Sequence, residues 1–165
     1  MLNYDHLLEY TDWQRESWHA WFTRQGAGAL AVSIGPHGDG RMNTVGEIVR
    51  HIFSAEKRYI ERLNDQPLTE ASALPAADDI DALFAFGRDS RAALRSFIAA
   101  LPADQLDVSR ELLIVNVTRR VTPRKILAHV VLHEIRHWAQ IATLLRLQGM
   151  KVDFHDFLLS PVLSG

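Results

Sequence analysis

The segment "AHVVLHEIRHWAQ", residues 128–140, decides both the fold and the place to look for chemistry. Ile126, Val130, Ile141 and Leu144 recur at helical spacing and run a stripe through it. The middle of that stripe is His133 and His137, four residues apart, with His129 four residues further upstream. An imidazole on a core-facing stripe needs a partner, because an unpaired buried polar group costs about 1–3 kcal/mol. Either these are core histidines bonded to carbonyls, tyrosine or water, or they hold a metal. Positions i and i+4 stand roughly 5–6 Å apart on one helix face, so His133 and His137 can share one ion. His129 and His137 are about 12 Å apart along the axis, so all three cannot do so from a straight helix. A third ligand has to come from a neighbouring helix, and His51 is the histidine that lies midway along one.

His133-Glu134-Ile135-Arg136-His137 also spells the H-E-x-x-H string of zinc peptidases. That chemistry needs Glu134 as a base and a third ligand from downstream. The continuation "WAQIAT" supplies neither glycine nor histidine, and no glutamate follows Glu134. Asp153, His155 and Asp156 are what remains, so the peptidase stays as the last alternative.

Working outward, Thr122-Pro123 reads as a cap followed by proline at the first helical position, and Gly149 as the stop. A first helix is expected from about Asn3 to Gln25, with a stripe of Leu7, Tyr10, Trp13, Ser17 and Trp21 flanked by Leu8 and Trp18. A turn-rich loop containing a solvated His37 follows. Asn43 or Thr44, with Glu47 to reciprocate, caps a second helix running to about Leu63. Its stripe is Val45, Ile48, Ile52, Ala55, Tyr59 and Leu63, with His51 at the edge. A third helix spans about Asp78 to Leu101, and Ile114, Val115, Val117 and Val121 suggest a short extended piece before the last helix. The expectation is all-α: one domain over residues 1–165, a four-helix bundle.

Apolar residues make up 47% and charged residues 23% of the chain, and the net charge of −2 gives no field to recruit nucleic acid. Arg119, Arg120, Arg124 and Lys125 form a basic cluster that reads as solvated. There is no cysteine, which removes thiolate ligands and nucleophiles and leaves imidazole and carboxylate. The N-terminal "MLNYDHLLEY" lacks the basic and apolar regions of a secretory signal, and no stretch is apolar enough to span a bilayer. A cytoplasmic protein without membrane or nucleic-acid partners is expected. A homodimer through Trp13, Trp18 and Trp21 is conceivable, although aromatics at helical spacing usually serve a core. His6, His19 and His155 read as structural or exposed.

"ILAHVVLHEIRHWAQIATLLRLQG" closely resembles the last helix of the DinB/YfiT-like superfamily. "VGEIVRHIFSAEKRYIERL" looks like the family's second helix, "YTDWQRESWHAWF" its first, and "VDFHDFLLS" its C-terminal segment. The resemblance implies an up-down-down-up bundle carrying a divalent metal on three histidines, which fall here on His51, His133 and His137. Trp138-Ala139 stands where the family has Arg-Gly, and Leu132 where it has Asn. Zinc or nickel, with iron(II) as a further option, would suit such a site. The resemblance further implies activation of a low-molecular-weight thiol or water, as in an S-transferase of detoxification or stress. His129 and Glu134 are candidates to support a ligand or move a proton. The competing class is a non-catalytic stress-associated bundle whose metal is structural.

Overall fold

The computed structural model describes residues 1–37 and 40–163, the side chain of His37 excepted, so the expectation for that histidine lies outside the described residues. Four helices carry the chain: α1 (Tyr4–Gln25), α2 (Val45–Leu63), α3 (Ile80–Ala100) and α4 (Pro123–Leu147). Each starts on a side-chain cap. Asn3 accepts from the His6 amide, Thr44 from Glu47, Asp79 from Ala82 and Thr122 from Lys125. Glu47 does reciprocate, but it accepts from the Asn43 amide rather than from Thr44. At the far end of α4, Gly149 adopts a φ of 76° that a side chain would resist.

The all-α expectation requires one addition. Strands β1 (Arg110–Ile114) and β2 (Val117–Val121) pair antiparallel, Ile114 opposite Val117. The expected extended piece is therefore a hairpin. Val115, expected in a strand, is in its two-residue turn with Asn116, at φ 49° and 60°. Positive φ at both turn residues matches the right-handed twist of the strands.

α2 packs on α3 and α4, and α1 packs on the same two helices. The apolar core falls into two clusters. One gathers Trp18, Phe22, Ile52, Phe53, Phe84 and Trp138, the other Leu8, Ile60, Leu94, Leu127, Val130 and Val131. Each helix contributes one member of a buried ion layer: Arg15, Glu56, Arg91 and Glu134. Arg15 Nε and Nη2 donate to Glu134 at 2.7 Å each, and Arg15 Nη2 also reaches Glu56 at 2.9 Å. Arg91 bridges the same two carboxylates at 3.1 and 2.7 Å. Two guanidiniums and two carboxylates cancel, as buried charges must to be tolerated.

This layer corrects the stripe expected for α1. Leu7, Trp13 and Ser17 are only half-buried, and the buried face turns to Leu8, Thr11, Arg15, Trp18 and Phe22. The physical reason is that Arg15 belongs inside, so the face is centred on a charge that periodicity assigns to solvent. On α2, likewise, Ala55 and Tyr59 give way to Glu56 and Ile60. Trp18 and Trp21 are core residues, as aromatics at helical spacing usually are, and Trp13 is half-buried. Among the described residues no helix is long and apolar enough to cross a membrane.

Candidate metal centre

His51 sits on the second turn of α2, and His133 and His137 lie one turn apart near the middle of α4. α2 and α4 pack against each other, which brings the three rings together. Ring centroids are 4.9 Å apart for His51 and His133, 5.1 Å for His51 and His137, and 4.4 Å for His133 and His137. The three histidines form a group able to hold a metal ion, the one such group found among the described residues.

The donor atoms decide how well an ion fits. His133 Nε2 lies 3.1 Å from His51 Nε2 and 3.2 Å from His137 Nε2. A neutral imidazole nitrogen carries either one hydrogen or one lone pair, so His133 Nε2 can satisfy only one of these contacts by hydrogen bonding. A cation among the three satisfies every lone pair at once. Nitrogens 2.0–2.1 Å from a shared tetrahedral centre lie roughly 3.3 Å from one another, close to what is seen.

The surroundings fix the His137 nitrogen as an acceptor. His137 Nδ1 is 3.0 Å from Gln140 Oε1, an acceptor, which places the proton on Nδ1 and leaves Nε2 with its lone pair. Arg136 Nη2 is 3.2 Å from the same Nε2 and can only donate. Burial, reinforced by His137, His51, His129 and Arg136, pushes the His133 pKa down to about 2, so the ring is neutral throughout the physiological range. His137 is itself buried, while His51 and His133 are half-buried.

The other two sequence candidates fall outside this cluster. His129 is exposed, a turn before His133, with its ring 5.3 Å from the His133 ring and edge-on to Tyr59 at 5.1 Å. The partial burial of its ring, with Arg136, lowers its pKa as well. Glu134 is 1% exposed and turns inward, to Arg15 and Arg91 in the ion layer. Burial would raise its pKa, but Arg15 and Arg91 hold it below the usual carboxylate range. The same pairing works in reverse on Arg15, whose pKa burial would lower and Glu134 and Glu56 raise. With its oxygens taken by Arg15, Arg91 and the Trp138 indole, Glu134 cannot serve as a base at the histidines. That is the correction to its expected role, and it removes the general base a peptidase would need.

Three residues near the site went unread in the sequence: Arg136, Gln140 and Tyr59. The first two were findable, since Arg136 stands three residues after His133 and Gln140 three after His137. Tyr59 was placed on a buried stripe, and only packing reveals its contact with His129. Trp138, where the family has Arg, stacks on Trp18 at 5.4 Å and donates to Glu134. Leu132 faces solvent. Neither departure touches the imidazole cluster. Of the remaining histidines, His6 completes the α1 capping box, His19 pairs with Asp81 at 3.2 Å and His155 stacks on Trp18.

A DinB-like protein from Bacillus cereus ATCC 10987, known from its crystal structure, shares this fold with a TM-score of 0.67. The match covers 90% of this chain and 94% of that one at 17% identity. No curated protein matches. The model of the DinB family, however, matches residues 1–162, taking in all four helices, the three histidines and the C-terminal segment, and on that basis the chain belongs to the DinB family.

Proposed function

We propose that this chain binds one divalent metal ion through His51, His133 and His137 and is a metal-dependent enzyme that activates a low-molecular-weight thiol or water, S-transferase-like, in detoxification or stress. The observation that carries this reading is the approach of three Nε2 atoms, from two helices, at 3.1 and 3.2 Å. A divalent ion held by the three neutral imidazoles of His51, His133 and His137 would keep its full charge and would lower the pKa of a thiol or water bound to it. The rest falls to the chain's own residues. Gln140 orients the His137 ring through Nδ1. Arg136 holds a fixed positive charge beside His137, which favours an anionic substrate. His129, next to His133 and more open to solvent, is placed to pass a proton to and from water. With no cysteine in the chain, a thiol has to arrive as co-substrate. Imidazole-only ligation suits zinc or nickel, with iron(II) as a further option. A cytoplasmic location suits such a thiol.

The bundle order belongs to the same reading: up-down-down-up. It is supported by the sense in which each helix crosses the ion layer. α1 passes from the Leu8 cluster to the Trp18 cluster, α4 from Val131 to Trp138, and α2 and α3 the other way, Phe53 to Ile60 and Phe84 to Leu94. A second reading, a non-catalytic bundle with a structural metal, is favoured by the ligands' origin on two helices, since an ion there ties α2 to α4.

Two measurements test the proposal. Protein expressed without an affinity tag is assayed for metal, and His133→Ala is compared with it: the reading requires about one ion per chain, falling well below that in the variant with helix content kept. Unchanged stoichiometry would overturn the ligand set. Cobalt-loaded protein is then titrated with small thiols, and a thiol-dependent change in its visible spectrum is expected. A spectrum indifferent to every thiol tried favours the structural metal.

A further inference from the structure

On the side of α4 away from the histidines, a cavity of about 290 Å³ lies between α1, the second half of α4 and the tail that follows it. Its lining includes Gln14, Trp18, Trp138, Ala142, Arg146 and His155. Ala142 is nine residues from His133, about 180° around the helix, so this cavity and the metal centre are on opposite faces.

The polar atoms around it are unusual. Gln14 Oε1, Trp18 Nε1 and both ring nitrogens of His155 are shielded from solvent and have no hydrogen-bond partner. They are the four such side-chain atoms found among the described residues, and all belong to residues lining this one cavity. Gln14 and Trp18 are 4% and 1% exposed, so it is the cavity rather than the outer surface that faces them. The Gln14 amide is not misoriented: its Nε2 donates to Tyr10 Oη at 2.9 Å and to the His155 carbonyl at 3.2 Å, which leaves Oε1 as the orphan. Buried polar groups are paired in the great majority of proteins, and a concentration of exceptions marks a place where a partner is missing.

The rings say what shape the partner has. Trp18 lies between Trp138, stacked at 5.4 Å, and His155, stacked at 4.5 Å with the planes 4° apart. His155 is carried by residues 151–156, which form neither helix nor strand, so its ring can swing off Trp18 without unwinding an element. From the orphaned atoms and this stack we infer that the cavity is a second ligand site, for an uncharged planar heterocycle bearing a hydrogen-bond donor and acceptor on one edge, a lactam. The ligand's ring takes the face of Trp18 that His155 covers. Its N–H donates to Gln14 Oε1, and the displaced imidazole closes over it with a ring N–H donating to its carbonyl. The site needs no metal and is independent of the function proposed above.

The test uses 2-pyridone, the smallest such lactam, with N-methyl-2-pyridone and benzene as controls, and follows the Trp18 indole N–H resonance of the full chain. Saturable displacement by 2-pyridone is expected, with N-methyl-2-pyridone weaker by about tenfold or more, the loss of one hydrogen bond. His155→Phe keeps the stack and removes both orphaned nitrogens. It should weaken 2-pyridone about tenfold, leave metal content unchanged, and hold or raise the melting temperature, because an unpaired buried polar group is lost. No movement of the Trp18 resonance, equal binding of benzene, undiminished binding by the variant, or a variant that melts well below the parent would each overturn the inference.

Discussion

The Glu134 carboxylate receives Arg15 and Arg91 at 2.7 Å each and the Trp138 indole at 3.1 Å, all three partners buried. Removing its charge leaves two guanidiniums sharing Glu56, with the half-buried Asp12 reaching Arg91 alone of the two. Breaking a buried pair this way costs about 3–5 kcal/mol, which for a chain of this size means roughly 10 °C in melting temperature. Glu134→Gln should therefore melt about that much lower, by circular dichroism, while the folded protein binds metal as before. A variant that melts like the parent but loses its metal would move Glu134 to the histidine centre. The same carboxylate carries a pH dependence. Its folded pKa is lowered, so its contribution is complete above about pH 4.3, the ordinary value, and is lost as the pH falls through the folded one. Why were His51, His133 and His137 legible and this residue not? An imidazole on an apolar stripe is anomalous and invites explanation. A glutamate or arginine beside a stripe looks like the edge of a solvated face, and only the arrival of Arg15, Glu56 and Arg91 from three other helices makes Glu134 a core residue.

At the scale of elements, the boundaries were readable because caps are local chemistry. Thr44, Thr122-Pro123 and Gly149 act through neighbours within a few residues, so the sequence carries the whole cause. The hairpin was half-readable. Its strands have β-branched residues, but its turn is Val115-Asn116 where Asn-Gly would announce it, and a β-branched residue at φ 49° is strained. Val115 is also exposed, so its side chain gains little from its position. Val115→Asn should raise stability by about 1 kcal/mol, seen as a higher denaturant midpoint with an unchanged slope. A lower midpoint would mean that the valine is held by packing. At the start of α2 the opposite constraint holds. A Cβ on Gly46 would collide with the Ala77 carbonyl oxygen, where the linker between α2 and α3 crosses the helix. Gly46→Ala should cost about 1–3 kcal/mol, against little change for Gly28→Ala, which meets open space.

For the whole molecule, the histidine centre is the place where α2 and α4 are joined by polar chemistry on the side away from the tail. Folding presses together imidazoles that an unfolded chain would keep apart and let protonate. The folded pKa of His133 is about 2, against about 6.5 when unfolded. Between those values the unfolded chain binds more protons, so metal-free stability must rise with pH across that window. The contribution is fully present above about pH 6.5 and drains away on acidification. An ion that binds the folded chain alone adds stability by mass action, about 2.7 kcal/mol at a hundredfold excess over its dissociation constant, or roughly 5–10 °C. Three melting curves separate these effects: metal-free protein, zinc-loaded protein and His133→Ala, each at about pH 5.5 and pH 7.5, the interval where an unfolded histidine titrates. The metal-free parent should melt lower at the acid end, zinc should raise it at the higher pH, and the variant should show a shallower pH slope and no gain from zinc. A metal-free parent whose melting point is level across the interval would mean that His133 is open to water, and the three imidazoles would then be a surface cluster rather than a preformed cradle for an ion.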